Sequence, residues 1–153
     1  MHLSLSEIEA EWQSMRRLTL DLLDACSQKD LDHVPMGAGP VWKQFRHIGG
    51  IHEVYLNAIE TSHVNFDGSG KTYAGDASAT GLQAYFDGLA VRHTAVLSHI
   101  EPGTQIDWFG EEVSIPGHLM RLISHETLHH GQFILQWRAR GIPMPSSWQA
   151  WGV

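Results

Sequence analysis

The chain has 153 residues, 42% hydrophobic and 18% charged, enough apolar material for one packed domain (residues 1–153) and too short for a second of ordinary size. Ten Lys+Arg against 17 Asp+Glu leave a formal charge of −7, which repels a phosphate backbone and argues against nucleic-acid binding. The single cysteine, Cys26, excludes an internal disulfide, no apolar run reaches the ~20 residues of a membrane helix, and Met1-His2-Leu3-Ser4 lacks the basic and apolar regions of a signal peptide, so a cytoplasmic location is expected.

From Leu5 to Cys26 the positions Leu5, Ile8, Trp12, Met15, Thr19, Leu22 and Cys26 recur at steps of three and four, one mostly apolar helix face. Ser4 and Glu7 have the spacing of a capping box at its start. Residues 28–40, with Pro35, Gly37, Gly39 and Pro40, interrupt the pattern. A second helix is predicted from Val41 to about Ser62, its Gly49-Gly50 pair marking a weak point or a place of close packing. Val64 to Gly81 is rich in Gly, Ser, Asp and Thr and reads as a long loop.

A third helix follows, with Thr80 and Gln83 in capping-box spacing and a stripe of Leu82, Phe86, Leu89, His93, Val96 and Ile100, stopped by Pro102-Gly103. Gln105 to Ser114, around Trp108-Phe109-Gly110, reads as a short extended excursion. Ser114 and Pro116 then open a fourth helix, with Gly141 and Pro143 marking its end near Arg140. Four amphipathic helices in one small domain predict an all-α four-helix bundle. The loop between the second and third helices, about 17 extended residues reaching ~55 Å, is long enough to cross a ~30 Å bundle and leave those helices parallel.

The fourth helix contains His125-Glu126-Thr127-Leu128-His129. Two histidines four apart share a helix face and can bind one metal ion. The same spacing is known from zinc metalloproteases, where the glutamate is the general base and a third ligand follows downstream. Here no Asp, Glu, His or Cys follows His130, so a third ligand must come from upstream. His47 heads a stripe with Ile51, Val54 and Ala58 on the second helix and is the best candidate.

Gln44-Phe45-Arg46-His47-Ile48, followed by His125-Glu126-Thr127-Leu128-His129-His130-Gly131-Gln132, resembles the DinB/YfiT-like superfamily of metal-binding four-helix proteins over nearly the whole chain. The resemblance implies three histidine ligands, which map onto His47, His125 and His129, and an up-down-down-up bundle that agrees with the long crossover. Relatives in that superfamily include thiol-dependent isomerases and S-transferases. Three neutral imidazoles leave coordination positions open for water or substrate, and their chemistry suits zinc or nickel. The expected function is a divalent-metal-dependent enzyme, foremost an S-transferase joining a low-molecular-weight thiol to a small electrophile. A metal-dependent hydrolase and a non-catalytic metal-binding stress-response protein are the alternatives. A homodimer with a small-molecule substrate, and neither nucleic acid nor membrane as partner, completes the expectation.

Glu126 is a candidate acid or base, although its position ~100° around the helix from His125 suits a salt bridge between helices equally well. His93 is read as a core histidine or a pocket residue, His52 as a surface residue, and His130 as facing away from the metal. Gln44 and Gln132 are candidate partners for the imidazole N–H groups. Trp12, Trp42, Trp137, Trp148 and Trp151 are read as packing residues. Gly68-Ser69-Gly70-Lys71-Thr72 ends like a phosphate-binding loop, but Asn65 occupies the first glycine position and a helix, not a strand, precedes it.

Overall fold

Ser4 accepts from the Glu7 backbone N–H while the Glu7 carboxylate receives the Ser4 N–H, the reciprocal cap its sequence spacing predicts. From this cap runs α1 (Leu5–Ala25), the first element of a computed structural model that describes residues 4–67 and 72–153. The remaining elements are α2 (Gln28–Leu31), α3 (Val41–Thr61), α4 (Ala79–Leu97), the strands β1 (Gln105–Trp108) and β2 (Glu111–Ser114), α5 (Ile115–Ala139) and a terminal 3-10 helix (Ser146–Trp151). The four predicted helices are α1, α3, α4 and α5.

Several local expectations are corrected. Residues 28–40 contain one helical turn, α2, capped by Ser27 and Asp30. The third helix starts at Ala79 with Ser78 as its cap, accepting from Gly81 N–H, so the Thr80–Gln83 capping box does not form. Asp76 also accepts from the Ser78 hydroxyl and N–H, which holds the cap in place. That helix ends at Leu97, before the last stripe position Ile100. Where the sequence read a short extended excursion, β1 and β2 form an antiparallel hairpin in register Gln105↔Ser114 to Trp108↔Glu111, within an otherwise mainly helical chain. Phe109 and Gly110 both take positive φ, 55° and 94°, the twist a two-residue hairpin turn requires. The phosphate-loop-like segment lies outside the described residues apart from Thr72.

Contacts between the long helices follow a consistent sense. Gly49 meets Tyr85 and Asn57 meets Arg92, so residue numbers rise together along α3 and α4. Arg16 meets Glu126, and Thr19 meets His130, so they also rise together along α1 and α5. Between α3 and α5 they run oppositely, with Gln44 on Gln136 and His118 on the Tyr55 carbonyl. Trp12 stacking on His93 and Arg16 lying over Phe86 give the same opposition between α1 and α4. One apolar cluster centres on Leu22, Phe45, Leu56, Phe86 and Phe133, a second on Ile8, Ile51, Val54, Ile106 and Leu119.

The close approach at Gly49 is the packing role its glycine pair suggested. A Cβ at Gly49 would lie 2.2 Å from Tyr85 Cε1. Gly49→Ala is therefore expected to push the Tyr85 ring outward and cost roughly 1–3 kcal/mol of stability, as overpacking does. A shift in the urea midpoint, with a changed Tyr85 ring environment by NMR, checks this; an unchanged midpoint would show that α3 and α4 do not touch there.

Candidate metal centre

His47 enters from the second turn of α3, and His125 and His129 from consecutive turns of α5. The opposed run of these helices sets residue 47 level with residues 125–129. One ligand nitrogen from each histidine lies within 4.8 Å of the other two. The Nε2 atoms of His125 and His129 are 3.3 Å apart, and the three ring centroids are separated by 4.6–5.2 Å. All three rings are half-buried, so a ligand can reach them from solvent.

Gln132 Oε1 lies 2.9 Å from His129 Nδ1, which places the proton on Nδ1 and leaves Nε2 facing its partners. Gln44 in turn donates to Gln132 Oε1 at 2.9 Å. Gln132 thus partners an imidazole N–H as expected, whereas Gln44 does not: its amide donates to Gln132 and to the His129 carbonyl. Burial, then the neighbouring His129 and His47 rings, push His125 down to about 4. Burial likewise lowers His129. These imidazoles are neutral at pH 7 and present lone pairs, the form a metal ion requires. The donor set fits zinc or nickel.

A family model described as the DinB superfamily matches residues 11–133, a span that holds all three histidines. The chain belongs to the DinB superfamily. The solved structure of a DinB-like protein from Bacillus cereus ATCC 10987 is similar, with TM-score 0.76 and 22% identity, covering 95% of this chain and 99% of that one. A DinB-like protein from Bacillus subtilis, YjoA, superposes with TM-score 0.68 and 19% identity over 90% of this chain and 93% of its own. Both likenesses concern the fold. Among curated proteins, none matches the chain.

Four further histidines of this DinB-superfamily chain, His52, His93, His118 and His130, are buried. His130 faces α1, 2.8 Å from the Thr19 hydroxyl. His52 corrects the surface assignment, since it is fully buried. Its Nδ1 accepts from Arg16 and its Nε2 donates to His93 Nδ1 at 2.9 Å. The expectation failed because α3 is buried on all sides from Ile48 to Leu56, so the face opposite His47 meets α1 and α4 rather than water. His93 is a core histidine stacked on Trp12 at 3.8 Å. His118, not singled out from the sequence, accepts from the Trp108 indole and donates to the Tyr55 carbonyl.

Glu126 forms the inter-helix salt bridge. Its oxygens accept from Arg16 Nε at 2.9 Å, Arg16 Nη2 at 3.0 Å and the Thr19 hydroxyl at 2.5 Å. Burial pushes this carboxyl up, but the Arg16 guanidinium and the hydrogen bonds from Arg16 and Thr19 prevail and hold it below its ordinary value. Of the tryptophans, Trp12, Trp137 and Trp148 are buried, and Trp148 donates to the Leu18 carbonyl. Trp42 is half-buried and Trp151 is exposed, so neither is a full core residue.

The buried imidazoles set an acid limit on the fold. Burial lowers His52 well below its ordinary value and lowers His93, His118 and His130 to about 4. In the unfolded chain they accept protons near pH 6.5, but in the fold His93, His118 and His130 do so only near 4 and His52 well below its ordinary value. Unfolded chains therefore bind protons first, and stability present above pH 6.5 is lost as pH falls toward 4. The loss is expected to be roughly 1–3 kcal/mol per histidine. Urea midpoints should be level above pH 7 and fall steeply from 6.5 to 4; a flat profile would contradict the buried neutral assignment.

Proposed function

We propose that this chain is a divalent-metal-dependent enzyme that transfers a low-molecular-weight thiol to a small electrophile. The observation that carries it is the convergence of His47, His125 and His129 across two helices, with no carboxylate or cysteine in the cluster. A bound zinc or nickel ion would supply Lewis acidity, lowering the pKa of a water or thiol toward neutrality. In the reaction a sulfur–carbon bond forms as the bond from that carbon to its leaving group breaks; the leaving group departs with the bonding electron pair and the thiol proton is released to solvent.

The residues of the chain bind and orient. His47, His125 and His129 hold the ion, Gln132 fixes the tautomer of His129, and Gln44 braces Gln132. The Glu126–Arg16 pair locks α5 against α1 and so positions the two histidines flanking it. An up-down-down-up four-helix bundle belongs to the same proposal, supported by the contact senses between the long helices. So does a cytoplasmic homodimer, supported by Leu128 and Leu135, two turns apart on one face of α5 and each 69% exposed. Sedimentation equilibrium with Leu128→Glu, expected to yield monomer, tests the dimer. Among the described residues, no helix is long and apolar enough to cross a membrane.

The test is saturable turnover of a small thiol with an electrophile, abolished by chelation and restored by zinc or nickel. Metal-dependent hydrolysis without any thiol requirement would replace transfer by the hydrolase reading. Stoichiometric metal with no turnover of either kind would leave a binding protein. For Glu126, Glu126→Gln separates two roles: a fall in kcat at full metal content would make it an acid or base, and a fall in stability alone would make it structural.

A further inference from the structure

On the α1 side of α5, around the helix from the histidine centre, lies a cavity of about 220 Å³. Met15 and Leu18 of α1, Ile134 of α5, and Trp148 and Trp151 of the terminal 3-10 helix wall it. An apolar cavity of ~150 Å³ takes a benzene ring, so this one has room for a ring pair the size of indole. Gly131 forms part of its rim, and a Cβ there would meet nothing within 4 Å. Packing inside the chain therefore does not demand the glycine, whose missing side chain keeps the mouth open.

Most polar groups along these walls are spent inside the chain. The Trp148 indole donates to the Leu18 carbonyl, and the Thr127 hydroxyl to the Ile123 carbonyl. Thr19 gives its single hydroxyl proton to the Glu126 carboxylate at 2.5 Å, so the same oxygen accepts from His130 Nε2–H at 2.8 Å. With that proton on Nε2, the neutral ring carries a lone pair on Nδ1. His130 is only 4% exposed. Its Nδ1 has no hydrogen-bond partner among the described residues, yet it is not one of the buried side-chain atoms sealed from solvent without a partner. The atom is therefore reached through the cavity that His130 lines. One acceptor, held from behind by Thr19, thus stands in a mainly apolar wall, and among the described residues no charged side chain lines it.

We propose that this cavity binds a small uncharged aromatic molecule of one or two rings carrying a single hydrogen-bond donor, an indole or a phenol. Its rings fill the space between α1, α5 and the 3-10 helix, and its N–H or O–H donates to His130 Nδ1. A charged molecule would shed its hydration with no counter-charge to receive it. One without a donor would leave the His130 lone pair stripped of water and unpaired. The lining residues Thr127, His130, Gly131 and Ile134 centre about 100° around α5 from Leu128 and Leu135, so a second copy on those leucines covers a different face. The site stands apart from the proposed metal chemistry, since His130 turns to α1 while His129 turns to α3.

The experiment titrates indole, phenol and N-methylindole into the full chain carrying isotope-labelled methyl groups, with and without zinc, and follows it by NMR. Indole is expected to shift the methyl resonances of Met15, Leu18 and Ile134 saturably and to give NOEs to them, in both zinc-loaded and zinc-free protein. Phenol should reach the same methyls with lower affinity, since it fills less of the cavity. N-methylindole keeps both rings and loses the donor, so it should bind about five- to tenfold more weakly than indole. Gly131→Leu adds a side chain at the mouth that meets nothing in the fold, and should weaken indole at least about tenfold with the far-UV circular dichroism unchanged. The proposal is overturned by any of four results: no saturable shift, NOEs to other residues only, N-methylindole binding as tightly as indole, or undiminished binding in Gly131→Leu.

Discussion

His47→Ala is expected to reduce zinc or nickel affinity by more than about 100-fold while leaving a folded helical protein. Loss of a residue that merely supports a ligand costs about 10–100-fold in affinity, and loss of a ligand exceeds that. His47 is half-buried at the rim of the α3–α5 contact rather than in either apolar cluster, so its truncation opens no large core cavity. Gln132→Ala should fall in the lower range, because it frees His129 Nδ1 without removing a donor. Elemental analysis and competition with a chromophoric chelator measure both. Full metal retention in His47→Ala would remove α3 from the centre and leave only the pair on α5. Loss of metal in His125→Ala but not in His47→Ala would have the same meaning.

Arg16→Met is expected to destabilise the fold by about 3–5 kcal/mol, because it strands the Glu126 carboxylate without its counter-charge. The side chains of Arg16 and Glu126 are 6% and 1% exposed, so water cannot replace the lost partner. The same change removes the donor to His52 Nδ1 and loosens the His52–His93 contact. The double variant Arg16→Met with Glu126→Leu should be more stable than Arg16→Met alone, since neither charge is then buried unpaired. Urea midpoints of the two singles and the double supply the coupling. Losses below 1 kcal/mol in each single would mean that the pair is solvated. The pair joins α1 to α5 one residue from His125, so the same network that stabilises the core also holds the ligand helix against α1.

Much of the metal cluster was legible in the sequence. His125 and His129 need only the helical period to share a face, and the absence of any ligand after His130 directed attention upstream to His47. Helix boundaries followed where caps are local: Ser4 with Glu7, Ser114 before Pro116, and Gly141, whose φ of 66° ends α5 as the glycine suggested. The third helix shows the limit. Thr80 and Gln83 have capping-box spacing, yet Ser78 wins because Asp76 ties down its hydroxyl and N–H from two residues before. The Phe109-Gly110 turn was equally hard to read, since a phenylalanine at positive φ carries no glycine or asparagine signal.

Sequence alone determined the period of the four long helices, the shared helix face of His125 and His129 and the net negative charge, because each depends on residue type and short-range spacing. The tertiary structure decided which faces became interior. His52 lies about 140° around its helix from His47, a direction that would meet water on a two-sided helix. It meets Arg16 and His93 instead, because α3 is enclosed on every side. Glu126 was ambiguous between acid, base and salt bridge until α1 brought Arg16 to it from 110 residues away. The close approach of α3 and α4 was likewise invisible in one dimension. The Tyr85 ring of one helix lies against Gly49 of the other, a contact that no local spacing encodes.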